Sequence, residues 1–198
     1  MTQVIRAFIA IELPPATQTK LGEISRRLQK DLQGAPIRWV KAENIHLTLK
    51  FLGEVSLNNL QVLKDILTSE AADTSPFEIS IGDLGAFPSS KRARVLWVSV
   101  AAPQELLNLQ RSIESQTTRL GYSSEDRPFT PHLTLARVNR SAAPPDYNRI
   151  AQALQATQIG FVDVVAVKDI KLFKSDLQPG GSVYTCLHTA PFKLSSTR

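Results

Sequence analysis

Three histidines occur in the chain, and two of them sit in one repeated word: His46-Leu47-Thr48-Leu49 and His132-Leu133-Thr134-Leu135. Each half of the sequence carries the word once. Side chains of an extended strand alternate between its two faces. His46 and Thr48 therefore share one face, and Leu47 and Leu49 the other; His132 and Thr134 separate from Leu133 and Leu135 in the same way. The leucines belong on a helix-covered core, which leaves both His/Thr pairs on the open face. Imidazole is the side chain whose ordinary pKa lies near neutrality. Two imidazoles across a cleft can divide acid–base work, one taking a proton from water and the other giving one to a leaving oxygen. A threonine hydroxyl on the same face adds a donor for a phosphate oxygen. The third histidine, His188, has no threonine two residues on and reads as structural or exposed.

Competing chemistries lack their motifs. No HExxH, HxH or carboxylate-rich cluster accompanies the histidines, so neither a metal nor a cofactor is expected. Walker loops, GxGxxG and GxSxG are absent as well. The single cysteine, Cys186, can form no internal disulfide and no CxxC site, and a reducing cytoplasm is the expected address. Apolar runs fall far short of the ~18 residues that suggest a membrane span.

The elements that must position the histidines follow from periodicity and from proline and glycine punctuation. Residues 6–13 read as a strand, Pro14-Pro15 open a helix, and Leu21, Ile24, Leu28 and Leu32 recur at helical spacing before Gly34. Residues 37–40 and 45–52 read as strands. Ser56 is a candidate N-cap for a helix through Leu60, Leu63 and Leu67, and residues 77–81 alternate like a strand. The second half repeats the rhythm: strand 94–100, a helix through Leu106, Leu109 and Ile113, strand 131–138, and a helix opened by Pro144-Pro145. Strands over 161–167, 169–175 and 183–188 complete it. The order is β-α-β-β-α-β, twice over. The predicted fold is α+β and bilobal, with two pseudo-symmetric lobes, each an antiparallel sheet with two helices, and an active-site cleft between them. A single catalytic domain over 1–198 would hold two internal repeats, roughly 1–90 and 91–198.

The 198 residues are 42% hydrophobic and 21% charged, an ordinary globular balance. An excess of 23 basic over 18 acidic residues gives a net charge of +5, which suits an anionic partner such as RNA without identifying one. Lys50 shares strand parity with His46 and Thr48, and reads either as lining the same wall or as a surface lysine. Phe8, Trp39 and Phe129 read as core residues or as stacking platforms for terminal bases. Arg38, Lys91, Arg92, Arg94 and Arg127 could track phosphates or simply face solvent.

With these residues in view, the chain resembles the two-histidine phosphoesterase superfamily, and within it the bacterial RNA 2′,3′-cyclic phosphodiesterases, historically called 2′-5′ RNA ligases. The resemblance runs over nearly the whole chain. It takes in Arg6-Ala7-Phe8-Ile9-Ala10, Trp39-Val40, Asn44-Ile45-His46-Leu47-Thr48-Leu49-Lys50-Phe51-Leu52-Gly53, and Phe87-Pro88. It continues through Arg94-Val95-Leu96-Trp97, Phe129-Thr130-Pro131-His132-Leu133-Thr134-Leu135-Ala136-Arg137 and Leu172-Phe173-Lys174-Ser175, to the Pro179-Gly180 turn before Tyr184. HxT alone is a weak signal; two copies, one followed by FLG and one preceded by FTP, are specific. Ser99 departs from the pattern, which has glycine there.

The resemblance implies a bilobal cleft that opens an RNA 2′,3′-cyclic phosphate to a 2′-phosphate. His46 would be the proton donor to the departing O3′ and His132 the acceptor that activates water. Thr48 and Thr134 would hold nonbridging oxygens. Arg137 matches a phosphate-binding arginine of the family, although strict alternation puts it on the leucine face. The implied partner is RNA with a cyclic phosphate end or a related cyclic nucleotide, with no membrane, and a monomer is the default. Two alternatives stand beside this reading: 2′-5′ ligation by the reverse reaction, and a non-catalytic RNA- or nucleotide-binding module on the same fold.

Overall fold

A computed structural model describes residues 3–193. Nine strands and four α-helices run in the order β1 (Val4–Glu12), α1 (Pro15–Asp31), β2 (Ile37–Trp39), β3 (His46–Ser56), α2 (Leu60–Ala72), β4 (Phe77–Phe87) and β5 (Val95–Ala101), followed by α3 (Gln104–Arg119), β6 (His132–Val138), α4 (Pro144–Ala156), β7 (Phe161–Val167), β8 (Asp169–Gln178) and β9 (Gly181–Pro191). The helices start where proline allows. Pro15 opens α1 in its first turn, where the missing N–H costs nothing. Leu21 and Leu28 line its buried face, and Gly34, with φ of +80°, takes the chain out of the helix. Ser56 accepts from the N–H of Asn58 and starts a 3-10 turn that leads into α2.

All pairings are antiparallel, in the order β7-β4-β5-β6-β3-β1-β8-β9, with β2 added on β6. The central join is narrow: β3 meets β6 only through Leu47 and Leu133. Two four-stranded sheets therefore diverge from one bridge, and β2 fills the wedge beside β6. Helices α2 and α3 cover the sheet β3-β1-β8-β9; α1 and α4 belong with the other, where Thr17 Oγ1 donates to Asp163 (2.7 Å) and Lys20 pairs with it (3.0 Å). Both apolar layers are lined by the inward faces of the strands, with Ile9, Leu47, Leu133, Ile79 and Leu172 fully buried.

The two lobes are the predicted ones in composition, but they do not coincide with the halves of the chain. β4 leaves the first half to pair with β5, and β8–β9 return from the second half to flank β1. Strands joined by a short connection pair preferentially, and the short stretch from Phe87 to Val95 makes β4 and β5 neighbours. Each lobe thus draws strands from both repeats, with a single residue, Lys168, between β7 in one sheet and β8 in the other.

Both histidine strands carry a β-bulge at the same place. In β3, Thr48 pairs with Ala10 and Lys50 with Ile9, so Leu49 is the extra residue. In β6, Thr134 pairs with Trp97 and Ala136 with Leu96, so Leu135 is the extra one. A bulge inserts one residue and reverses the parity of the strand past it. Beyond it, Lys50 and Ala136 turn inward, while Phe51 and Arg137 turn to the open face.

Candidate active site

The cleft between the lobes has a volume of about 1000 Å³, and His46, Thr48, His132, Thr134 and Arg137 all line it. The antiparallel register through Leu47 and Leu133 sets His46 beside Thr134 and Thr48 beside His132, with the histidines on a diagonal. Each imidazole is oriented by the backbone two residues before it. His46 Nδ1 lies 2.8 Å from the Asn44 carbonyl and His132 Nδ1 lies 2.7 Å from the Thr130 carbonyl. A carbonyl only accepts, so Nδ1 carries a proton in each case and Nε2 is the nitrogen that exchanges one. Asn44 is itself tied down, its Nδ2 donating to the Ser182 carbonyl at the start of β9 (2.8 Å).

The ring packing differs between the sites. His46 stacks on Phe8 at 4.7 Å and meets the edge of Tyr184 at 5.3 Å. His132 meets Phe87 edge-on at 5.0 Å, with Trp97 at 6.4 Å. Gly85 gives Trp97 its place: a Cβ on that glycine would stand 2.2 Å from the indole. Burial lowers the pKa of both histidines. The backbone carbonyl of each opposes that shift, the Arg137 charge adds to it, and at His46 so does His132.

Arg137 reaches the cleft because of the bulge, which resolves the conflict with strict alternation. The same bulge corrects the placement of Lys50. Its side chain is fully buried on the helix side, where Nζ donates to Glu114 (2.7 Å) and to the Ser123 carbonyl (2.6 Å), so it does not line the wall with His46. Phe8 lies in the cleft wall, but its two faces are taken by His46 and by Phe173 at 5.3 Å, which leaves none for a base. Phe129 packs against the main core and does not line the cleft. Trp39 lines the cleft margin with much of its ring on the core. Lys91, Arg92, Arg94 and Arg127 lie outside the cleft, whereas Arg38 lines it. His188 bonds Thr68 on α2 (3.0 Å), away from the cleft. Among the described residues no group of three or more His, Cys, Asp or Glu side chains could hold a metal ion, and no helix is long and apolar enough to cross a membrane.

Periodicity alone missed Phe51, 56% exposed and in the cleft, and it gave no role to Tyr184, Asn44 or Arg6, which also line it. The one available signal was the odd spacing of five from His132 to Arg137, repeated from His46 to Phe51.

The repeated geometry has its counterpart in a family profile, LigT like Phosphoesterase, which matches twice, over residues 11–97 and 98–184. The chain belongs to this family. Among LigT-like relatives, the RNA 2′,3′-cyclic phosphodiesterase of Methanothermobacter thermautotrophicus is 32% identical, covering 91% of this chain and 95% of that protein. The enzyme of the same name from Escherichia coli is 30% identical, covering 94% and 96%. Among solved LigT structures, the E. coli protein complexed with 3′-AMP superposes with a TM-score of 0.75 at 29% identity, covering 96% of this chain and 99% of that one. The crystal structure of TT0787 from Thermus thermophilus superposes with a TM-score of 0.80 at 26% identity, with the same coverage.

Proposed function

We propose that this protein hydrolyses the 2′,3′-cyclic phosphate at an RNA end to a 2′-phosphomonoester. The observation that carries this reading is the pair of imidazoles on one cleft. Each has Nδ1 committed to a backbone carbonyl and Nε2 available, and each stands beside a threonine of the opposite strand. The names of the LigT-like relatives support the same substrate.

In this mechanism His132 Nε2 takes a proton from water as the water oxygen bonds to phosphorus. The P–O3′ bond breaks, and His46 Nε2–H gives its proton to O3′. The 2′-ester bond stays intact, so the product is a 2′-phosphate with a free 3′-hydroxyl. His132 then loses its proton to solvent and His46 regains one. Thr48 and Thr134 donate to the nonbridging oxygens, where charge grows in the transition state, and Arg137 adds a cation at the same phosphate. The donor role of His46 and the acceptor role of His132 follow the family resemblance. Burial of His46 against Phe8 suits the donor role, since a depressed pKa makes its imidazolium a stronger acid. The cleft is built within one chain, which suits a monomer, and the lone Cys186 suits a reducing cytoplasm.

The test is an oligoribonucleotide with a 2′,3′-cyclic phosphate end, its product resolved as 2′- or 3′-phosphate. A 2′-phosphate is expected, with the linear 3′-phosphate RNA and a DNA 3′-phosphate inert. A 3′-phosphate product, or equal turnover of linear and cyclic ends, would overturn the mechanism.

A further inference from the structure

The three-residue strand β2 borders the cleft, and it places one charged side chain there against an electrostatic penalty. Arg38 pairs directly with Arg137 across β2 and β6, while its neighbours Ile37 and Trp39 pair with Val138 and Ala136 and pack against the core at the cleft margin. Like charges directly opposite on an antiparallel ladder destabilise it. Among the described residues neither guanidinium forms an ion pair. Arg6 and Lys41 line the same cleft, and among the described residues no aspartate or glutamate does. A like-charge pair held in register, exposed to a cleft without carboxylates, is arranged for an anion from outside the chain. Two planar forks on adjacent strands about 5 Å apart match phosphate oxygens.

Position separates the two arginines. Arg137 is the next cleft-facing residue after His132 and Thr134 on β6, beside the reacting phosphate. Arg38 lies one strand further out. We propose that Arg38, with Arg137 beside it, binds the phosphodiester one nucleotide 5′ of the cyclic phosphate, and so makes an oligonucleotide the preferred substrate over a mononucleotide. This rests on the cyclic phosphodiesterase reading of the site and adds a length-reading subsite to it.

The experiment compares three substrates: adenosine 2′,3′-cyclic phosphate, the dinucleotide ApA with the same cyclic end, and that dinucleotide with a neutral methylphosphonate at the internal linkage. The wild-type protein is expected to favour the charged dinucleotide by about tenfold in kcat/KM, the scale of one charge-assisted contact. The advantage should disappear with the neutral linkage and, in Arg38→Gln, with the charged one. Arg38→Lys should retain part of it. Because the substitution relieves a like-charge pair, Arg38→Gln should keep or raise the thermal midpoint, which a merely structural arginine would lower. A dinucleotide advantage that survives either neutralisation overturns the proposal. The 2′-phosphate forms of A and ApA, titrated by calorimetry against wild type and Arg38→Gln, give the same comparison by binding alone. If no cyclic end is turned over, the functional reading falls, and the subsite still stands or falls on those affinities.

Discussion

The two histidine strands are close copies, and their differences fall at the same two positions. β3 reads His46-Leu47-Thr48-Leu49-Lys50-Phe51, and β6 reads His132-Leu133-Thr134-Leu135-Ala136-Arg137. Word, bulge and i−2 carbonyl are shared. Beyond the bulge, the inward position is a buried lysine in one and an alanine in the other; the outward position is an exposed phenylalanine in one and an arginine in the other. What the strands share places two imidazoles on one cleft, each with Nδ1 held by a backbone carbonyl. What they do not share gives the cleft a direction, with an aromatic surface at one end and paired guanidiniums at the other. A substrate with a base, a sugar and a chain of phosphates has the same lack of symmetry.

The largest effect tests the shared part. His46→Ala and His132→Ala should each lower the rate of cyclic phosphate hydrolysis by about 10²–10⁴, the scale of one acid–base group. The double variant should lose far less than the product of the two, since the pair acts as a unit. Single-turnover rates on a cyclic-ended oligonucleotide measure this, with circular dichroism to verify the fold. Near-normal turnover by either single variant would remove that histidine from the chemistry.

Next comes the unlike pair on the inner face. Lys50→Ala gives β3 the residue type that β6 has at Ala136, and it removes the cation beside Glu114, whose Oε1 keeps only the Glu125 N–H (3.0 Å) and whose Oε2 is already buried without a partner, and takes the donor from the Ser123 carbonyl. Breaking a buried ion pair by removing one partner is strongly destabilising, here by about 3 kcal/mol. Urea unfolding would register the loss. An unchanged midpoint would mean that desolvation of the lysine cancels its attraction to Glu114.

How much of this was legible in the sequence divides along the same line. The duplicated word needs only period-two alternation and its own recurrence, so His46, Thr48, His132 and Thr134 could be placed on an open face from letters alone. The helices were legible for a similar reason: Pro15 and Gly34 punctuate a clean apolar period in α1. The bulges were not. An extra residue in a strand changes no composition, so alternation keeps Lys50 in phase with Thr48 while the backbone turns it into the core. Phe8 illustrates a second limit. Its strand and face follow from alternation, but whether its ring is open depends on Phe173, which is distant in sequence and brought alongside by the β1–β8 pairing. The interleaved lobes are a third, because β4 could close either sheet until its short link to β5 decides.

The smallest effect concerns pH and uses Arg137 against its counterpart. Burial depresses both imidazole pKa values, and the Arg137 charge depresses them further by opposing a second cation nearby. The pH profile of kcat/KM reports the free protein, and its two limbs belong to the coupled pair. Its optimum should therefore lie on the acid side of the ordinary imidazole value of ~6.5. The profile of kcat should lie at higher pH, because a bound phosphodiester anion favours the imidazolium. Removing a cation makes protonation easier, so Arg137→Gln should move the kcat/KM optimum upward while lowering its height. Phe51→Leu, at the equivalent position of the other strand, removes no charge and should leave the optimum in place. Profiles of the three proteins on one cyclic-ended substrate make the comparison. A downward shift in Arg137→Gln, or an equal shift in both variants, would mean that the guanidinium does not set the protonation of the pair.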